Sequence, residues 1–168
     1  MEYLEAECLY AIVLIMECKK ESVLVYCDGA CSNNPGVGGW GAVLIWEGRT
    51  REIYGAVSET TNNRMELTAA IEGLKAVTRD GRITVYTDST YLKEGITNWI
   101  HKWKQSNWKN GKIKNIDLWE KLDNLTSEMD VDWIWVRGHS GDTYNELADK
   151  LAKRAIVEFM RNERKRVE

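Results

Sequence analysis

The chain has 168 residues, 43% of them hydrophobic and 29% charged, with one proline and a formal net charge of −3. That length and apolar content allow one compact domain with a real core and exclude a disordered chain. The negative balance is only a weak argument against a nucleic-acid partner, because a local basic patch can act within an acidic chain.

Residues 1–21 are expected to form an extension outside the core domain. "CLYAIVLIM" at 8–16 is apolar but too short to span a bilayer, and Glu2, Glu5 and Glu7 before it are the wrong charge for a secretory leader. Met16 reads as an alternative start, with residues 1–15 an upstream addition; the other reading is an extra strand or helix packed on the fold. Cys8, Cys18, Cys27 and Cys31 lack the paired spacing and nearby histidines of a zinc site, which points to a reduced, cytoplasmic protein.

The core domain is expected over 22–160. "SVLVYCD" (22–28) alternates as a strand and "GACSNNPGVGG" (29–39) reads as a turn-rich loop. "WGAVLIWE" (40–47) and "RTREIYGAV" (49–57) flank Glu47-Gly48 as a hairpin, completing a three-stranded antiparallel meander. A helix over about 64–78 follows, with Asn62 or Asn63 as N-cap and Leu67, Ala70, Ile71, Leu74 and Val77 on its apolar face. "RITVYTD" (82–88) is a strand, and Ser89 can cap the short helix after it. Helices are expected over 97–106 and 115–129, a strand over 131–136, a loop over 137–143 and a last helix over about 144–160. Residues 161–168 close the chain as a frayed, charged tail. There is no internal repeat and no linker.

The crossover from the meander through a helix to strand 82–88 lets that strand run parallel to the first. The fold class is therefore α/β, with a five-stranded mixed sheet (the meander plus two parallel strands) flanked by helices. Asp28 and Asp88 then emerge side by side at the carboxyl edge of the sheet, where ligands bind in such folds. Glu66 lies in the first turn of the intervening helix beside its apolar stripe, and Asp149 lies beside the stripe of the last helix. Taken alone, Asp-Gly after a strand reads as a turn and Asp-Ser as a helix cap. Four converging, partly buried carboxylates instead need a counter-charge, and hard oxygen donors suit Mg²⁺ or Mn²⁺. Two such ions roughly 4 Å apart serve phosphodiester cleavage.

"YCDGACSNNPGVGGWGAVL", "TTNNRMELTAAIEGL", "VYTDSTYLKEGITNWIHKW", "KNIDLW" and "WVRGHSGDTYNELADKLA" occur in the order found in type 1 ribonuclease H, and the chain resembles the bacterial ribonuclease HI branch from residue 22 to about 156. The resemblance implies an endonuclease that cuts the RNA strand of RNA–DNA hybrids with Mg²⁺, leaving 3′-hydroxyl and 5′-phosphate ends; separately, no heptad or long apolar stretch calls for a dimer or a membrane, so a monomer is expected. It maps the metal-binding carboxylates onto Asp28, Glu66, Asp88 and Asp149. Asp28 would bridge two ions, Glu66 and Asp88 would serve one, and Asp149 the other. It also puts a proton-relaying histidine at His139, and Glu146 reads as an outer acid.

By the same resemblance Asn34, Asn62 and Asn63 would meet RNA 2′-hydroxyls, with Thr61 and Asn115 near a DNA phosphate. "WIHKWKQSNWKNGKIKN" (99–115) interleaves Trp99, Trp103 and Trp108 with Lys102, Lys104, Lys109 and other basic groups, and carries no acid. It resembles the basic handle of bacterial members. Its tryptophans otherwise read as core anchors, Trp99 foremost. Two departures stand out: Thr90 occupies a position that is commonly Gln, which shortens or removes a groove contact, and Glu59 precedes "TTNN" where some members are basic. The competing readings are a non-catalytic hybrid-binding module and another nuclease on the same scaffold.

Overall fold

A computed structural model describes residues 22–78 and 80–167, so the expectations for residues 1–21 lie outside the described residues. Alternating, β-rich segments form β1 (Val23–Cys31), β2 (Gly36–Trp46) and β3 (Arg49–Thr60). Glu47 and Gly48 turn the β2–β3 hairpin, both at positive φ (46° and 71°), as the tightest hairpin turns require. After α1 (Asn62–Lys75) come β4 (Arg82–Thr87), α2 (Thr90–Glu94), a wider π-type turn at Gly95–Trp99, α3 (Ile100–Gln105), α4 (Ile116–Ser127), β5 (Asp130–Trp135) and α5 (Thr143–Val167).

The sheet is mixed and five-stranded, as the sequence predicts, and its strand order is β3-β2-β1-β4-β5. β1 pairs antiparallel with β2 and parallel with β4, and β4 pairs parallel with β5. α1 packs its buried Leu67, Ala69, Ala70, Ile71 and Leu74 on one face, where they join Val25, Cys27, Val85 and the fully buried Trp119. Burying each large apolar side chain of this set contributes about 1.5–3 kcal/mol. α5 covers the other face through Ala148 and Leu151 against Tyr26 and Val43. No helix of the described residues is long and apolar enough to cross a membrane.

Several boundaries differ from expectation. β1 runs on to Cys31 and β2 begins at Gly36, so most of the expected 29–39 loop is strand, antiparallel from Asp28↔Gly41 to Cys31↔Gly38. Helix α1 starts after Thr61, which takes the N-cap position in extended conformation; Asn62 and Asn63 are already helical. Asn62 instead spends its amide on Glu66. The expected helix over 97–106 begins as a π-type turn, and Gly95 at its start leaves room for the Trp119 ring, which sits where a Cβ would stand. Asn107 to Gly111 form a left-handed turn, all five residues at positive φ. The last helix continues to Val167, with residues 161–166 exposed.

Candidate active site

The parallel register of β1 and β4 ends at Tyr26↔Tyr86. Two residues beyond this pair stand Asp28, on β1 and on the side of the pleat shared with Tyr26, and Asp88, just past the end of β4. Asp28 is 9% exposed, its Oδ1 accepting the Gly29 N–H at 2.7 Å. Burial and then the neighbouring Asp88 charge lift its carboxyl to about 8; the Gly29 N–H opposes this, while Asp149 and Glu66 push the same way. The other three acids therefore stand within electrostatic reach of this one buried carboxyl.

Glu66 points inward from the first turns of α1. One oxygen accepts from Asn62 Nδ2 at 2.9 Å and the other from the Ser89 hydroxyl. Ser89 Oγ also accepts the Leu92 N–H, so a single hydroxyl caps α2 and orients Glu66. Burial raises the Glu66 carboxyl, the Ser89 bond pulls it down, and Asp88 raises it again, for a net upward shift. Asp149 accepts from Lys153 one turn along α5, at 2.7 Å. Among the described residues no three His, Cys, Asp or Glu side chains close on a single ion as they stand. The four acids share a field rather than a finished coordination sphere. As a donor set they fit a hard divalent cation: every candidate ligand is a carboxylate oxygen, and the buried Asp28 is burdened by charges of its own sign.

Three supports escaped the sequence reading. Asn145, 2% exposed, donates from Nδ2 to Asp88 Oδ2 at 3.2 Å. Trp135 Nε1 donates to the Asp88 carbonyl at 3.0 Å. Gly138 passes so close that a Cβ there would stand 2.6 Å from Asp88 Oδ2. Only Asn145 left a signal in the sequence: it lies four residues before Asp149, hence on the same helical face. His139 is exposed on the adjoining loop at φ 52°, and Glu146 accepts the Gly141 N–H of that loop at 3.2 Å.

Beyond the acids, Asn34, Pro35, Thr61, Asn63, Lys114 and Asn115 line one open hollow. Asn34 Oδ1 accepts the Asn62 N–H at 3.2 Å, and Asn115 Nδ2 donates to the Tyr91 hydroxyl at 3.2 Å. Thr90 is exposed at the start of α2. Trp99, Lys102, Trp103 and Lys109 line a second hollow, in which Lys102 and Lys109 are exposed. Lys104 turns aside to ion-pair with Asp123 on α4. The order of the tryptophans reverses the expectation. Trp99 is 38% exposed, whereas Trp103 and Trp108 pack against the core, Trp103 lying 5.4 Å from the Trp119 ring.

A family model described as RNase H matches residues 20–157. A curated Ribonuclease H of Wolbachia pipientis wMel is 51% identical over 142 residues, covering 83% of this chain and 98% of the relative. The crystal structure of LC9-RNase H1, a type 1 RNase H with the type 2 active-site motif, superposes with a TM-score of 0.75 at 34% identity, covering 83% of this chain and 74% of that one. LC11-RNase H1, solved in complex with an RNA/DNA hybrid, shares the fold at a TM-score of 0.65 and 24% identity over 82% of this chain and 99% of its own. With the match spanning both strands and both helices that carry the four acids, the chain belongs to the RNase H family.

Proposed function

We propose that this enzyme hydrolyses the RNA strand of RNA–DNA hybrids at the carboxylate end of its sheet, leaving 3′-hydroxyl and 5′-phosphate ends. The observation that carries the reading is Asp28, buried at that edge within the field of Glu66, Asp88 and Asp149. These four side chains would hold two Mg²⁺ ions, or Mn²⁺ in their place, which when bound supply an activated water and stabilisation for the leaving oxygen. The hybrid bound to LC11-RNase H1 supports the same partner.

The chain's own residues divide the remaining work. Ser89 and Asn62 hold both oxygens of Glu66, so its orientation is set before any ligand arrives. His139, exposed on the loop between Gly138 and Gly141, is the side chain that would pass a proton to or from the reacting groups. The amides of Asn34, Asn62 and Asn63 both donate and accept, as recognition of a 2′-hydroxyl requires, and Thr61 and Asn115 take a DNA phosphate. All four acids come from one chain, which supports action as a monomer.

Labelled RNA–DNA, RNA–RNA and DNA–DNA duplexes in Mg²⁺, then in EDTA, test the activity. The expected result is cleavage of the RNA strand of the hybrid alone, lost in EDTA. A protein that binds the hybrid without cutting it in Mg²⁺ would be the binding module instead.

The basic segment gives a separate expectation. Lys102→Ala and Lys109→Ala should each weaken hybrid binding and reduce the slope of log affinity against log salt by about 1. Lys104→Ala should leave that slope nearly unchanged, because its ammonium already faces Asp123. Equal slopes for all three variants would sink this division of labour.

A further inference from the structure

Asn145 makes little sense as a packing residue. It is 2% exposed in the first turn of α5, its Oδ1 has no hydrogen-bond partner, and a buried orphan acceptor is costly. The helix does not need it as a cap, because Asp142 Oδ1 already accepts the backbone N–H groups of Tyr144 and Asn145, both at 3.1 Å. An apolar side chain of similar size would fill the same space with no orphan. What the amide does achieve is one bond, from Nδ2 to Asp88 Oδ2 at 3.2 Å. The reverse orientation would set two acceptors face to face, so the carboxylate itself fixes which way the amide points.

The location gives that bond its meaning. Asn145 and Asp149 are one turn apart on one face of α5, while Asp88 follows β4. Asp88 Oδ2 is confined from a second side by Gly138, where a Cβ would stand 2.6 Å away. We propose that Asn145 is a positioning residue that ties Asp88 to α5, setting the separation between Asp88 and Asp149 and thereby the affinity of the carboxylate site for divalent ions. This rests on the reading of the four acids as metal ligands. Partners that orient a ligand from behind typically change metal affinity 10–100-fold when lost.

Titration calorimetry of Mn²⁺ into the metal-free full chain, without substrate, tests the proposal. Asn145→Leu removes both the bond and the orphan acceptor. The expected result is a melting temperature at or above wild type with Mn²⁺ affinity weakened about 10-fold. In steady-state assays KM for the hybrid should stay within about 2-fold, and kcat should fall at limiting Mn²⁺ and recover as Mn²⁺ is raised. Asn145→Ala should show the same loss of affinity, and Asn145→Leu carries the test where that smaller variant fails to fold. A folded Asn145→Leu protein with wild-type Mn²⁺ affinity overturns the proposal, whatever its activity. Asp88→Asn separates the two layers: if it leaves Mn²⁺ affinity intact, the ligand reading itself fails. If Asp88→Asn weakens binding and Asn145→Leu does not, only the positioning role is lost.

Discussion

Asp28→Asn should lower hybrid cleavage by roughly 10³-fold or more, the scale of removing a group aimed at developing charge, while raising the stability of the metal-free protein. Both effects arise from one buried carboxyl. Asp28 titrates near 8 in the folded chain against an ordinary value of 3.8, with burial the largest cause and Asp88 the next. The folded state therefore holds this proton more tightly than the unfolded state. Between about pH 4 and 8 the native chain binds more protons, so stability falls as pH rises through that window. The neutral amide removes this penalty. The gain should be on the order of a few kcal/mol at pH 8 and should fade towards pH 4. At this chain length each kcal/mol is worth about 2–4 °C of melting temperature. Thermal melts in EDTA at pH 5 and pH 8, paired with single-turnover cleavage in Mg²⁺, check both halves. Wild-type turnover would overturn the assignment of Asp28, and equal melting temperatures at pH 8 would overturn its electrostatic account.

Gly29→Ala is expected to lower cleavage about 10²-fold and to destabilise the fold by about 1–3 kcal/mol. A Cβ at this position would stand 2.2 Å from the Glu66 nitrogen and 2.4 Å from the Met65 carbonyl carbon. Both are backbone atoms of α1 and cannot rotate aside, so the helix itself must move away from β1. That movement carries Glu66 away from Asp28, and a displacement of about 1 Å in a catalytic group is enough for the stated loss. Gly48→Ala is the contrast. Nothing lies within 4 Å of its Cβ position and only its φ of 71° is unfavourable, so it should cost about 1 kcal/mol and leave cleavage intact. Urea midpoints and kcat for the two variants measure the difference; a Gly29→Ala enzyme with wild-type kcat would contradict it.

The mixed sheet, with β4 parallel to β1, and the placing of Asp28 and Asp88 at one edge of it were legible because they follow from simple periodicities. Alternation marks the strands, the crossover rule makes β4 parallel to β1, and the aspartates then share an edge by register. What escaped depends on contacts between distant segments. The β1 strand extends to Cys31 because β2 pairs with it there, overriding the turn composition of "GACSNNPG". The tryptophans of the basic segment were ranked in the wrong order because their burial is decided by Trp119, which α4 brings in beneath Gly95 and beside Trp103. Thr61 holds the N-cap position by its extended backbone alone, with no side-chain cap bond, and Asn62 bonds Glu66 from inside the helix. Asn145 was passed over because a hydrophilic residue in a first helical turn normally reads as solvated. Its burial against Asp88 follows only from the path of the chain after β5.

The pairing of β1 with β4, and the covering of β1 and β2 by α5, also constrain when this protein can act. Its first acid is carried by the first strand of the sheet and its last by the final helix. Each gains its neighbours only through pairings between segments far apart along the chain, which are the slow ones to form. A growing polypeptide on the ribosome therefore holds an incomplete set until α5 has been made and has docked. Docking of α5 is therefore the step that brings Asp149 to the sheet edge carrying Asp28, and the proposed set of acids is complete only from that step on.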